Sequence, residues 1–203
     1  DSRLPSGLQL GTGVRTAGTQ KVFTTGSLEI TDQPLDIAVN GRGFFQIQMP
    51  DGNIGYTRDG TFHINNEGTV VNVNGYPLEP QIVIPEQTNN LTISEDGIVQ
   101  ATMFGDPNPQ QLGQIETVDF INPAGLQAAG GNLFLETAAS GAPQGGVPGE
   151  DGFGRVVQGA LENSNVEVVE ELVKMITVQR AYEMNSKVVS AADQMLQFLT
   201  QNT

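Results

Sequence analysis

Few residues in this sequence have the type and spacing for chemistry, and each meets an obstacle. His63 is the only histidine. It stands between Phe62 and Ile64 in a predicted strand, where alternation turns it away from both neighbours. A catalytic triad would need a serine and a carboxylate brought to it, and one imidazole builds no metal cluster. Gly41, Arg42 and Gly43 open like a dinucleotide fingerprint, but Gln46 stands where the third glycine belongs and no helix follows; Gly11, Thr12 and Gly13 fail in the same way at Thr16. Asp51, Gly52 and Asn53 begin like a calcium loop, yet Tyr56 holds the position of its glycine and Phe62 that of its closing glutamate. The 23 acidic residues mark no couple facing across a cleft, as glycoside hydrolysis would require. Arg58 and Asp59, beside Tyr56, are expected to form a local ion pair that orders a turn. No cysteine is present, which removes thiolate nucleophiles, thiolate metal sites and disulfides. The expectation is no catalytic residue, no metal site and no cofactor.

The scaffold that carries these residues reads as mainly β. Twenty-five glycines and 11 prolines without a tryptophan, in a chain 37% hydrophobic, suit a turn-rich body with a core more than an α/β enzyme. From Leu35 onward, short apolar runs alternate with turn signals. Asn40-Gly41, Asp51-Gly52, Asp59-Gly60 and Asn74-Gly75 each follow such a run, and these pairs tolerate the positive φ of tight hairpin turns. The spacing predicts successive antiparallel strands over residues 35–79. Further strands are expected at 81–84, 91–93, 98–103, 114–121 and 132–136, with short ones at 22–24 and 28–30, roughly ten in all. Residues 138–154 hold too much Gly and Pro for a packed element and read as a loop. The fold class expected is a body of antiparallel hairpins, an irregular β-sandwich or barrel-like unit, followed by a long C-terminal α-helix that enters a coiled-coil-like assembly. Three domains are expected: an extended connector over 1–34, the β body over 35–160, and the helix over 161–203.

The helix is the one long segment with helical spacing and no Gly or Pro. Ser164 and Glu167 fit a capping box at its start. Val168, Leu172, Met175, Tyr182, Val189 and Leu196 form one apolar row; Val169, Val173, Ile176, Met184, Val188, Ala191, Met195 and Phe198 form a second. Glu170 and Lys174 make a favourable i,i+4 pair. At ~1.5 Å per residue the helix is roughly 55 Å long, whereas a body of ~150 residues has a radius of gyration of only about 15 Å. A helix that outreaches its own domain with two apolar rows calls for more than one neighbouring helix. These rows are therefore the candidate assembly interface. The opening stretch from Leu4 to Val14 lacks regular pattern and suits an extended arm laid on a neighbour, with Leu4, Leu8 and Leu10 as its apolar contacts.

Charge limits the partners. The net charge of −14 falls mostly on the body, since only six of the 23 acidic residues lie in 161–203. Such a surface repels nucleic acid and anionic lipid. No run reaches the 18 apolar residues of a membrane span and no signal peptide is visible, so no direct membrane insertion and no cleaved leader are expected.

The stretches LPSGLQLGTGV (4–14), DIAVNGRGFF (36–45), YTRDGTF (56–62), SGAP (140–143) and, above all, SNVEVVEELVKMITVQRAYEMNSKVVSAADQML (164–196) resemble the flagellar rod and hook axial proteins, most closely the distal-rod members of that family. The resemblance implies a structural subunit of the bacterial flagellar basal body. Such a subunit is exported by the flagellar type III apparatus and polymerises helically into a hollow, rigid rod across the periplasm. The rod transmits torque to the hook and lets exported subunits pass. It further implies, as partners, copies of the chain itself, proximal rod and hook subunits at the two ends, and the surrounding P and L ring proteins. In the family the C-terminal helix pairs with an N-terminal helix to form an inner tube, with the β body outside; the family's N-terminal Asn-Asn-Leu-Ala helix is not in this sequence, and its segment 4–14 goes with a straight, stiff tube. Alternative expectations are a proximal rod or hook subunit of the same family, a cell-surface β-domain binding module, or a carbohydrate-active enzyme.

Overall fold

A computed structural model describes residue 15 and residues 18–201, the side chains of 106, 107, 196 and 198–201 excepted. Sixteen strands, with a short 3-10 turn at Pro123–Gly125, precede one α-helix among these residues. The first eight are β1 Leu28–Ile30, β2 Ile37–Asn40, β3 Phe44–Gln48, β4 Ile54–Thr57, β5 Phe62–Ile64, β6 Val70–Asn72, β7 Leu78–Glu79 and β8 Thr88–Ile93. The others are β9 Ile98–Met103, β10 Asp106–Gln114, β11 Thr117–Asp119, β12 Gln127–Gly130, β13 Leu133–Leu135, β14 Gln144–Gly146, β15 Arg155–Gln158 and β16 Ala160–Glu162; α1 spans Val168–Gln201. Every pairing is antiparallel. The mainly β body with a C-terminal helix is thus the architecture expected from composition and turn spacing.

Strand β3 is the centre. It pairs with β4 along one edge, while its other edge is shared between β11 at its start and β7 at its end. Successive side chains of a strand point to opposite faces, and here both faces are covered, so Phe44 and Phe45 are both buried. Phe45 joins a core with Ile37, Ile47, Phe62, Leu78, Ile82, Ile115 and Val156. Phe44 joins a second, aromatic core with Tyr56, Val118, Phe120 and Leu126. Tyr56 and Phe120 meet edge to face at 4.8 Å between centroids, and Phe45 and Phe62 at 5.3 Å.

Several local expectations change. Asp51-Gly52 does join the hairpin β3–β4, but Asp59-Gly60 turns no hairpin. There the chain crosses from β4 to β5, and Gly60 lies so close to the β2 backbone that a Cβ would overlap the Ile37 carbonyl oxygen. Strand β2 pairs with distant β15, not with β3. Residues 81–84 form no strand, although Val70 N–H donates to Ile82 O and Ile82 and Ile84 are buried. Residues 22–24 are not a strand either. In the other direction, β10, β12, β14, β15 and β16 lie outside the expected strands, and β14 lies inside the Gly/Pro-rich stretch 138–154. They lie at the edges of their sheets, where main-chain pairing to one neighbour suffices and apolar alternation is weak.

The connector expected over 1–34 is joined to the body within its described part. β1 pairs with β16, placing Leu28 opposite Glu162 and Ile30 opposite Ala160. Phe23 inserts into the aromatic core, 5.7 Å from Phe44 and 5.3 Å from Phe134 between ring centroids. Lys21 donates to Leu126 O at 2.7 Å.

Candidate functional site

The expected capping box does not form. Ser164 Oγ accepts from Val166 N–H at 3.2 Å, and the first helical bond runs from Glu171 N–H to Glu167 O, so α1 begins at Val168. Ser164 is instead part of a short non-helical root, residues 163–167, between β16 and α1. Beyond that root every described side chain of α1 is exposed. Val168, Leu172, Met175 and Tyr182 of one row, and Val169, Val173, Ile176, Met184, Val188 and Met195 of the other, remain uncovered, as does Val189. Tyr182 is 76% exposed and Ile176 50%. Side chains on a free helix shield one another only partly, so these values describe a helix that the described residues of the body leave uncovered. Leu196 lies in α1, but its side chain is outside the described residues, as are Leu4, Leu8 and Leu10.

Lys174 pairs with Glu171 at 2.9 Å and Glu170 at 3.2 Å on the polar side of the helix. Hydrogen bonds to Glu171 and then Glu170 hold its ammonium above the usual lysine range. A face this charged stays in water, which leaves the apolar rows as the sides open to a partner.

The root is tied down densely. Glu162, at the end of β16, accepts from Arg58 Nε at 2.8 Å and Nη2 at 2.7 Å, and from Gly26 N–H at 2.8 Å. The remaining Arg58 donors go to main-chain carbonyls of Gly41 and Gly43, both at 2.7 Å, and Val39 at 3.2 Å. The local pair expected between Arg58 and Asp59 is therefore replaced by one spanning 104 residues. Neighbours along an extended chain point to opposite sides, a signal in the sequence that argued against the local pair. Asp59 instead accepts from Thr61 N–H and from Asn132 Nδ2. Sequence reasoning missed Glu162, Gly26 and Asn165; Asn165 Nδ2 donates to Val22 O at 3.1 Å and Thr24 O at 3.0 Å.

Elsewhere the candidates for chemistry stay apart. His63 is exposed on β5, opposite Val71. Among the described residues no three of His, Asp and Glu gather as they would around a metal ion. A cleft of about 630 Å³ opens between the segment 22–25, the β2–β3 corner and the helix root, lined by Phe23, Phe44, Arg58 and Glu162. Of its charged groups Arg58 pairs with Glu162 and Arg42 with Asp119, while Asp59 accepts from Thr61 N–H and Asn132 Nδ2. No helix among these residues is long and apolar enough to cross a membrane.

Comparison with known proteins places these features in context. Residues 38–101 match the family model described as the flagellar hook protein FlgE/F/G D1 domain, and residues 157–202 match that of the flagellar basal body rod FlgEFG protein C-terminal region. The flagellar basal-body rod protein FlgG of Buchnera aphidicola subsp. Schizaphis graminum is 52% identical over 201 residues, covering 99% of this chain and 77% of the relative. That of Caulobacter vibrioides is 48% identical, covering 98% and 76%. The basal-body rod protein FlgF of Salmonella typhimurium is 34% identical over 85% of this chain and 69% of its own.

Proposed function

The chain belongs to the family of flagellar basal-body rod proteins, a structural family, and from that premise we propose that it polymerises helically through α1 into the rigid distal rod. As a rod protein its place is the flagellar basal body. The observation that carries the proposal is the 34-residue helix whose described apolar side chains are all uncovered. A soluble monomer rarely leaves so much contiguous apolar surface in water, and such surface marks an interaction site. Two rows on different sides of one helix suit neighbours on both sides, and contacts between unlike faces of identical subunits propagate as a helix instead of closing as a dimer.

The finer reading rests on the resemblance to the flagellar rod and hook axial proteins. The helix forms the inner wall of a hollow tube, the β body lies outside, and the segment 1–34 spans the two. The apolar residues Leu4, Leu8 and Leu10 lie against a neighbouring subunit together with the two rows of α1. Proximal rod and hook subunits meet the ends of the tube, the P and L ring proteins surround it, and export proceeds through the flagellar type III apparatus. The greater identity to FlgG relatives than to the FlgF relative, 52% and 48% against 34%, favours the distal position. The test is a cell lacking the gene. Restoring it should restore swimming and straight rods in micrographs of purified basal bodies; complete rods in the deleted strain would refute the proposal.

A further inference from the structure

A helix whose described apolar side chains no described body residue covers must have its direction set at its root, and the root here carries more bonds than chain connection requires. Arg58 and Glu162 are both largely withdrawn from water, their side chains 21% and 10% exposed. One guanidinium thereby links the β2–β3 corner, through three carbonyls, to the last strand before the helix. Glu162 passes the link on to the segment before β1 through Gly26 N–H. Next along the root, Asn163 N–H donates to Ser27 O at 2.8 Å and Asn163 Nδ2 to Glu29 at 3.0 Å, and Asn165 reaches Val22 and Thr24. Gly26 approaches so closely that a Cβ there would overlap the Asn163 carbonyl oxygen. The planar, five-donor fork of arginine suits such a hub, and lysine could not occupy all these acceptors at once.

We propose that the Arg58–Glu162–Gly26 junction is a positioning latch that fixes the direction in which α1 leaves the body. Its consequence for the shape of the tube rests on the rod reading above; the latch itself does not. Removing one partner of a largely buried ion pair leaves the other charge without compensation, so the root is released as a unit. Released, the helix keeps its apolar rows but loses its angle to the body, and a stiff tube becomes a bendable one.

The chain has no cysteine, so nitroxide labels at Asn53→Cys on the body and Glu183→Cys on the helix, both exposed sites, report their separation by pulsed electron paramagnetic resonance. The chain with both labels should show one narrow distance. Glu162→Ala leaves Arg58 its three carbonyls, and Gly26→Ala leaves the ion pair's own side chains intact; each should lose the narrow peak to a broad distribution while cooperative melting of the body persists. An unchanged peak in both variants would overturn the latch, as would a broad distribution already present without them, or unfolding of the body in both. Broadening in the variants of a chain whose unsubstituted form builds no rod in cells would uphold the latch and remove the rod reading, so the two failures are distinguishable.

Discussion

Replacing Ile176 with Asp separates assembly from folding. In the isolated chain Ile176 is 50% exposed beside Val173 and Met184, themselves 57% and 63% exposed, and no described body residue covers it. The substitution there changes little beyond intrinsic helix propensity, at most ~0.5 kcal/mol. In the assembled rod the remaining half of the side chain would be covered, a gain of about 1 kcal/mol that aspartate forfeits. The carboxylate set against apolar neighbours costs several kcal/mol more. A total of ~3 kcal/mol or above lowers each association constant by roughly two orders of magnitude, and the loss recurs at every subunit. The expected outcome is a melting transition by circular dichroism within experimental scatter of the unmodified chain, together with loss of rods in micrographs and loss of swimming when the gene carries the change. Lys174→Gln, on the charged face that pairs with Glu170 and Glu171, should build normal rods. Normal rods with Ile176→Asp would remove this face from the interface. Unfolding of the isolated chain would show instead that α1 lies on its own body.

Two further outcomes concern the body. Thr117 is fully buried and its hydroxyl has no hydrogen-bond partner among the described residues, so Thr117→Val, of the same shape, should stabilise the fold by about 1 kcal/mol and raise the melting midpoint by ~2–4 °C; a lowered midpoint would contradict the hydroxyl's isolation. Burial, and then the charge of Glu136, hold the Tyr56 phenol above its ordinary value. An unfolded tyrosine ionises near pH 10 and the folded one higher, so this contribution is fully present below pH 10 and is lost as pH rises beyond it toward the folded value. Melting midpoints measured from pH 8 upward should therefore fall less steeply in Tyr56→Phe, and parallel slopes in the two chains would count against the burial argument.

What was legible in the sequence is what local physics decides. An uninterrupted helical period over 168–196 has no other solution than a helix, because Gly and Pro are absent and the apolar residues recur at helical spacing. The hairpin β3–β4 follows from Asp51-Gly52 between two alternating runs, since the turn and the side-chain period agree. The excess of apolar helix surface was equally plain, and with it the expectation of a partner. Long-range choices were not legible. Phe44 and Phe45 are adjacent and alike, and only the covering of β3 on both faces sends them to different cores. The edge strands β10, β12 and β14 hold their places by main-chain bonds that any residue except proline at a donor position can make, so side-chain pattern does not announce them. Asp59-Gly60 has the composition of a turn and serves as a crossing point, because what glycine supplies there is room for a backbone that arrives from β2. The junction at the helix root lies furthest from sequence reasoning. Arg58 and Glu162 stand 104 positions apart, and neither residue type signals the other, since an ion pair between distant segments exists only once the strands that carry them have packed.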